Sequence, residues 1–256
     1  MFANGMAVDF LLVLFLNLAV VYVVQKSKAG SDYTIRKIPG LDAIEEGVGR
    51  ATEMNRPVLY LPGYADFTDP QTLASMAVLS EVAKVTARYD TRLIVPVNYA
   101  YVHPVMSEVV RQAYVSQGQT HSFKPDDVMW FSDHYYGYAI AVIELMFREK
   151  VATTVMFGNF AFDALMYAEA GNQAGAIQIG GTASTAQIPF FVAACDYAII
   201  GEEIYAAAAY ITKDPVRVAT IVVEDWAKFA ATALIVIGVI LQSLGSVDVI
   251  NSILAK

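Results

Sequence analysis

Six apolar runs of strand length recur between residues 57 and 212, and a stretch of helical character follows each one. The runs are PVLYL (57–61), RLIVPV (92–97), DVMWF (127–131), ATTVMF (152–157), AIQI (176–179) and DYAII (196–200). The helical stretches lie at about 71–88, 104–117, 135–149, 160–172, 185–195 and 202–212. Strands alternating with helices specify βαβ units and a parallel sheet. Near-continuous apolar strands imply that both sheet faces are covered. The expected fold class is therefore α/β, a mainly parallel Rossmann-like sheet of about six strands with helices on both faces. Pro96 inside the second run places that strand at an edge or ends it there. The segment around 185–195 has strand-like residues in Phe190, Phe191 and Val192, but a parallel crossover needs a helix, which Ser184 or Thr185 would cap.

Two further apolar runs flank this region. Phe10 to Val24 reads FLLVLFLNLAVVYVV, and Trp226 to Gly245 reads WAKFAATALIVIGVILQSLG. Each is close to the roughly 20 residues that span a bilayer. Trp226 suits a membrane–water interface, and Lys228 can extend its amine to the headgroups. A cleaved signal peptide would carry its positive charge before the apolar run, whereas Lys26, Lys28, Arg36 and Lys37 follow it. Two transmembrane helices are thus expected. The positive-inside rule then places the residues between them in the cytoplasm, with both termini outside, in a cell membrane.

The expected organisation is an anchor over 1–25, a basic linker over 26–40, an α/β domain over 41–213, a connector over 214–225, a second span over 226–245 and a tail over 246–256. Val247, Ile250 and Leu254 recur at helical spacing, so the tail reads as a short interfacial helix. The linker SDYTIRKIPG (31–40) stops at Pro-Gly, and a helix from Leu41 to Met54 follows with Leu41, Ile44, Val48 and Ala51 on one face.

Composition limits the function classes. Hydrophobic residues make up 56% and charged residues 16%, which excludes a disordered chain. A net charge of −8 argues against nucleic acid as a partner. The single cysteine, Cys195, permits neither an intrachain disulfide nor a cysteine metal cluster, and it reads as a small packed apolar residue.

In an open α/β sheet, ligands bind beyond the carboxyl ends of the strands. The residues following the six runs are Gly63, Tyr64 and Asp66; Asn98, Tyr99 and Tyr101; Ser132, Asp133, His134 and Tyr135; Gly158, Asn159 and Phe160; Gly180, Gly181 and Thr182; and Gly201, Glu202 and Glu203. Turns and helix caps alone would select many of these types. As a ligand site, Gly63, Tyr64, Asn98, Ser132, Asp133, Gly158, Asn159, Gly180, Gly181, Thr182, Glu202 and Glu203 would gather at one edge. These loops hold no Lys or Arg, and no GxxxxGK[ST] or GxGxxG run follows the first strand. A polyanion is disfavoured; a cation, a neutral ligand or a basic partner segment fits better. Asp133 and His134 are the best acid/base pair. His103, His121 and His134 have no zinc-site spacing, so neither metal nor cofactor is expected.

Stretches 72–85, 138–147 and 204–211 are apolar on more than one face. A helix buried all round needs neighbours on both sides. Another copy of the chain, the membrane surface or a different subunit would supply the second neighbour, and Ala206 to Ala209 would permit close helix approach.

The runs IPGLDAIEEGVGRATEMNRPVLYLPG (38–63), VMFGNFAFDALMYAEAG (155–171) and EAGNQAGAIQIGGTASTAQIPFFVAACDYAIIGEEIYAAAAYIT (169–212) resemble an uncharacterised family of prokaryotic membrane-anchored proteins, classified only as a domain of unknown function. The resemblance covers roughly residues 38–212. It implies membrane attachment and brings no established activity. The expected function is a self-assembling scaffold or an accessory subunit of a membrane complex, in contact with lipid, with further copies of itself and with other subunits of that complex. The alternative is a small-ligand or sensor module with an acidic site at the strand carboxyl ends. A third reading is an enzyme acting on a neutral or cationic substrate through Asp133, His134 or Glu202.

Overall fold

The structure, a computed structural model, describes residues 7–28, 38–64, 66–212 and 214–243. The expected tail helix over 246–256 and most of the linker lie outside the described residues. The chain divides into two compact units, residues 36–212 and the flanking segments 1–35 and 213–256.

The central unit holds six strands: β1 (Val58–Gly63), β2 (Leu93–Val97), β3 (Val128–Trp130), β4 (Thr153–Asn159), β5 (Ile177–Thr182) and β6 (Tyr197–Ile200). Every pairing is parallel, in the order β3-β2-β1-β4-β5-β6. The α/β class, the parallel sheet and the six strand positions are as the sequence indicates. Side-chain alternation explains the layering. In β1, Val58 and Tyr60 face one core, with α2 (Pro39–Glu53), α3 (Pro70–Arg88), α4 (His103–Ser116) and α8 (Glu203–Thr212). Leu59 and Leu61 face the other, with α5 (Tyr135–Glu149), α6 (Asp163–Ala174) and α7 (Ile188–Ala194). The ambiguous 185–195 segment is helical over α7, but it starts after Gln187 and no side chain caps it, in place of the expected Ser184 or Thr185 cap.

The position of Pro96 differs from expectation. β2 is internal, not an edge strand, yet its pairing with β1 runs only from Leu93 to Ile94. From Val95 on, it pairs with β3. Pro96 therefore sits where β2 has already left β1, so its missing N–H breaks no bond on that side.

Two helices expected to need an outside neighbour find one within the chain. α3 is covered on its flanks by α4 and α8, and Val78, Leu79 and Val82 are fully buried. Ala207, Ala208 and Ala209 are buried as α8 lies against α3. Their small side chains serve this intrachain contact.

In the flanking unit, α1 (Ala7–Lys28) and α9 (Pro215–Ser243) pack together. α9 takes in the residues read as a connector. Their seam buries Val23, Ala219 and Val223, with Leu16, Val20 and Val222 partly buried beside them. Among the described residues no helix is long and apolar enough to cross a membrane. The two expected transmembrane helices are therefore not found as such, although both runs are helical. The physical reason is charge placement. In α1 the uncharged stretch Phe10–Gln25, between Asp9 and Lys26, rises only about 24 Å against a hydrocarbon core of roughly 30 Å, and α9 carries Arg217, Glu224, Asp225 and Lys228 in its first half.

Candidate functional site

Between β1 and β4 the strand order reverses, and in open α/β sheets the ligand crevice opens there, beyond the strand carboxyl ends. Here the backbone joins the two loops directly. After a register shift past Leu61, Gly63 pairs with Asn159, and the Tyr64 amide donates to the Asn159 carbonyl at 2.8 Å. Two glycines make this approach possible. Gly63 has φ +86° and Gly158 φ +143°; a Cβ on Gly63 would strike the Asn159 carbonyl, and one on Gly158 the Pro62 carbonyl.

The loop from β1 to α3 is then tied down on both sides. Asp69 caps α3 by accepting from the Gln71 amide at 2.7 Å, with Pro70 at the first turn. Its other oxygen accepts from Asn159 Nδ2 at 2.6 Å. A carboxylate thus occupies the helix N-terminus that would otherwise attract a phosphate. The Gln71 side-chain carbonyl in turn accepts from the Ala183 amide at 2.7 Å and the Thr182 hydroxyl at 3.3 Å, latching α3 to the end of β5.

Aromatic rings fill the space over β1 and β2. Tyr64 lies 4.5 Å from Tyr135, 5.4 Å from Tyr99 and 6.3 Å from Tyr138, between ring centroids. Tyr99 stacks on Tyr101 at 5.3 Å, and the Tyr64 hydroxyl donates to the Asp133 carbonyl at 2.6 Å. Asp133 has a structural task. Its Oδ1 accepts from the Ala100 amide at 3.1 Å and the Trp130 indole at 2.9 Å, joining the loops after β2 and β3. Ser132 Oγ accepts from the His134 amide at 3.0 Å, which shapes the turn into α5.

Of the sequence-predicted site residues, Gly63, Tyr64, Asn98, Ser132, Asp133, Gly158 and Asn159 belong to this sealed edge, and Thr182 joins it through Gln71. Gly180 and Gly181 do not line a loop. They lie inside β5, one beneath Phe191 and the other against Phe157. Glu202 and Glu203 follow β6, the strand at the far end of the sheet.

Sequence reasoning missed Asp163. It is fully buried in the first turn of α6, where Oδ1 accepts from the Ala161 amide at 2.7 Å. Burial pushes its carboxyl up, against the opposing pull of the Tyr135 hydroxyl and that amide. Burial and Asp163 together push the Tyr135 hydroxyl up as well. An Asp near a helix start reads as an ordinary first-turn residue, and nothing in the local sequence marks it as buried.

The family described as a domain of unknown function (DUF6754) matches residues 1–254. The chain belongs to the DUF6754 family. No curated protein and no solved structure matches it. Among the described residues of this DUF6754 chain, no group of three or more His, Cys, Asp or Glu could hold a metal ion.

Two clefts of about 330 Å³ each lie at the opposite, amino end of the strands and share Asp90, Thr91 and Arg92. Arg92 bonds Asp127 at 2.7 Å and Glu149 at 2.7 Å. Its charge is spent on tying β2, β3 and α5 together; Lys124 lines the first cleft and Arg56 the second.

Proposed function

We propose that this chain is a self-assembling, non-catalytic module held at a membrane through α1 and α9. The observation that carries the reading is the closed strand edge. Where an α/β sheet takes its ligand, Tyr64 and its aromatic neighbours occupy the space, and Tyr64–Asn159 pairing seals it. Asp133, the best acid candidate in the sequence, is engaged in holding two loops.

Membrane attachment is supported by what α1 and α9 leave uncovered. Phe15, Leu18 and Val21 on α1, and Phe229, Ile235 and Val239 on α9, are each more than half exposed. Exposed contiguous apolar surface marks an interaction site, and hydrocarbon is the simplest solvent for it. Lys26 and Lys228 flank the uncharged stretches and can reach the headgroups, which lets short apolar helices sit in a thinned bilayer. On this reading the α/β unit lies in the cytoplasm and serves as a scaffold or an accessory subunit.

Protease protection tests the arrangement. In inverted membrane vesicles the α/β unit should be digested, and in sealed right-side-out vesicles it should be protected. Release of the intact chain by alkaline carbonate would overturn membrane embedding.

A second reading, a small-ligand module, is favoured by one observation. Asn98 Nδ2 is buried at the same edge and has no hydrogen-bond partner among the described residues. An unpaired N–H donor beside tyrosine rings fits a neutral ligand that presents an oxygen acceptor and a face to stack. If a neutral sugar such as glucose at millimolar concentration raises the Tm of the wild-type chain, this reading replaces the first.

A further inference from the structure

We infer that the outer face of α5, α6 and α7 is the surface through which two copies of this chain pair. The inference rests on the reading of the chain as a self-assembling module and names the surface that does it. α6 lies between α5 and α7, and all three cover one face of the sheet. Their inward sides are buried, as Tyr138, Val142, Ala164, Tyr167 and Phe191 show.

The outward side is also apolar. On α5, Tyr136, Ile140 and Phe147 follow helical spacing and point away from the core, and Leu165 on α6 and Phe190 and Val192 on α7 continue the surface. These six are between 37% and 68% exposed. Of the helices expected to need an outside neighbour, α3 and α8 find theirs within the chain, whereas α5 keeps this bare row.

Area and charge decide the occupant. At about 200 Å² for a large apolar side chain, half exposed, six such residues offer roughly 600 Å² of apolar surface. A stable interface buries about 800 Å² per partner, of which roughly 55–65% is apolar, so the face is large enough for a dimer. The chain as a whole carries −8, but this face is nearly neutral. Glu144 and Arg148 on α5 pair with each other at 3.6 Å, Glu149 bonds Arg92, Asp163 is buried, Glu169 binds Gln173, and α7 carries no charge. Glu169 keeps its charge, so two such faces meet with little like-charge repulsion. A lipid surface would instead select a rim of lysines and arginines, which this face lacks. A two-fold contact is self-complementary, so one face suffices for both partners.

Native mass spectrometry of the full chain from mild detergent tests both levels. The wild type should give an even multiple of 27.9 kDa. Ile140→Glu with Leu165→Glu should halve that mass, a loss of at least about a hundredfold in affinity, with the single chain still folded because both side chains are exposed in it. As a second measurement that needs no destabilising charge, Leu165→Cys on the central helix α6 should cross-link to its own copy through a long flexible bismaleimide. A monomeric wild type would overturn the self-assembly reading itself. An oligomeric wild type whose mass survives the double substitution, or whose Leu165→Cys form does not cross-link, would overturn this surface alone. Loss of vesicle binding in the double variant without a change in mass would overturn it in favour of lipid.

Discussion

The amide of Tyr64 donates to the carbonyl of Asn159 at 2.8 Å, and this bond carries the β1–β4 pairing past the point where the strand order reverses. In a nucleotide-binding sheet of the same order, those two loops part to admit a pyrophosphate. Here they are joined, and the Tyr64 ring lies over the join. The topology is thus kept while the two loops that would part for a ligand are held together.

The join depends on glycine. Gly63→Ala and Gly158→Ala each force a side chain into a left-handed or mirror-β backbone and onto a neighbouring carbonyl. Each should cost at least about 2 kcal/mol in urea unfolding. Gly175→Ala is the control: φ is +74° but nothing lies within 4 Å of its Cβ, so it should cost about 1 kcal/mol. Equal costs at all three positions would mean that the β1–β4 join carries no steric demand.

Tyr64 should act as packing first and as a hydrogen-bond donor second. Tyr64→Phe removes only the bond to the Asp133 carbonyl and should cost about 0.5–1 kcal/mol. Tyr64→Ala also removes the contacts with Tyr99, Tyr135 and Tyr138 and should cost about 2–3 kcal/mol. Chemical denaturation of the two variants side by side separates the contributions.

Asp69 is the cap of α3, and Asp69→Ala should lower stability by about 1–2 kcal/mol, while Asp69→Asn should retain most of the cap. The same alanine variant uncovers a helix N-terminus. Inorganic phosphate should then raise its Tm more than that of the wild type. If phosphate acts equally on both, the carboxylate does not guard that terminus.

The order of elements was legible because each strand is a short apolar run bounded by turn residues, and each crossover has helical periodicity. β5 shows where legibility ended. AIQI reads as a strand that stops before Gly180, yet the strand continues through Gly180 and Gly181 because Phe191 and Phe157 need bare backbone to pack on. Glycine for a turn and glycine for close packing look the same in a sequence. The candidate site was only partly legible for a related reason. Tyr64, Asp133 and Asn159 lie at one edge, but how closely the loops of an edge join depends on register, which composition does not encode. The α3–α8 contact was invisible too, since apolar helices do not say whether their second neighbour lies in the same chain.

Cys195 should be a poor nucleophile. Burial pushes its thiol up to about 12, with Asp196 adding to the effect. Alkylation by iodoacetamide at pH 8 should be about a thousandfold slower in the native chain than after unfolding, where an ordinary thiol value near 8.5 returns. Comparable rates before and after unfolding would show an accessible thiol and remove the basis for treating Leu165→Cys as the sole reactive site in cross-linking.

Asp163 should make stability depend on pH with a definite sign. Its carboxyl is fully buried, and desolvation raises its pKa above the ordinary carboxylate value. Between the unfolded and the folded value, the native state therefore binds more protons than the unfolded state. Stability falls as pH rises through that window, is full below the ordinary value, and levels off above the raised one. Asp163→Asn keeps an oxygen to accept from the Ala161 amide but cannot ionise. Measured by thermal unfolding across the acid range, the Tm of the wild type should drop relative to Asp163→Asn as pH increases. A difference that stays flat would mean that Asp163 ionises without cost, and one of opposite slope would mean that its hydrogen bonds outweigh its burial.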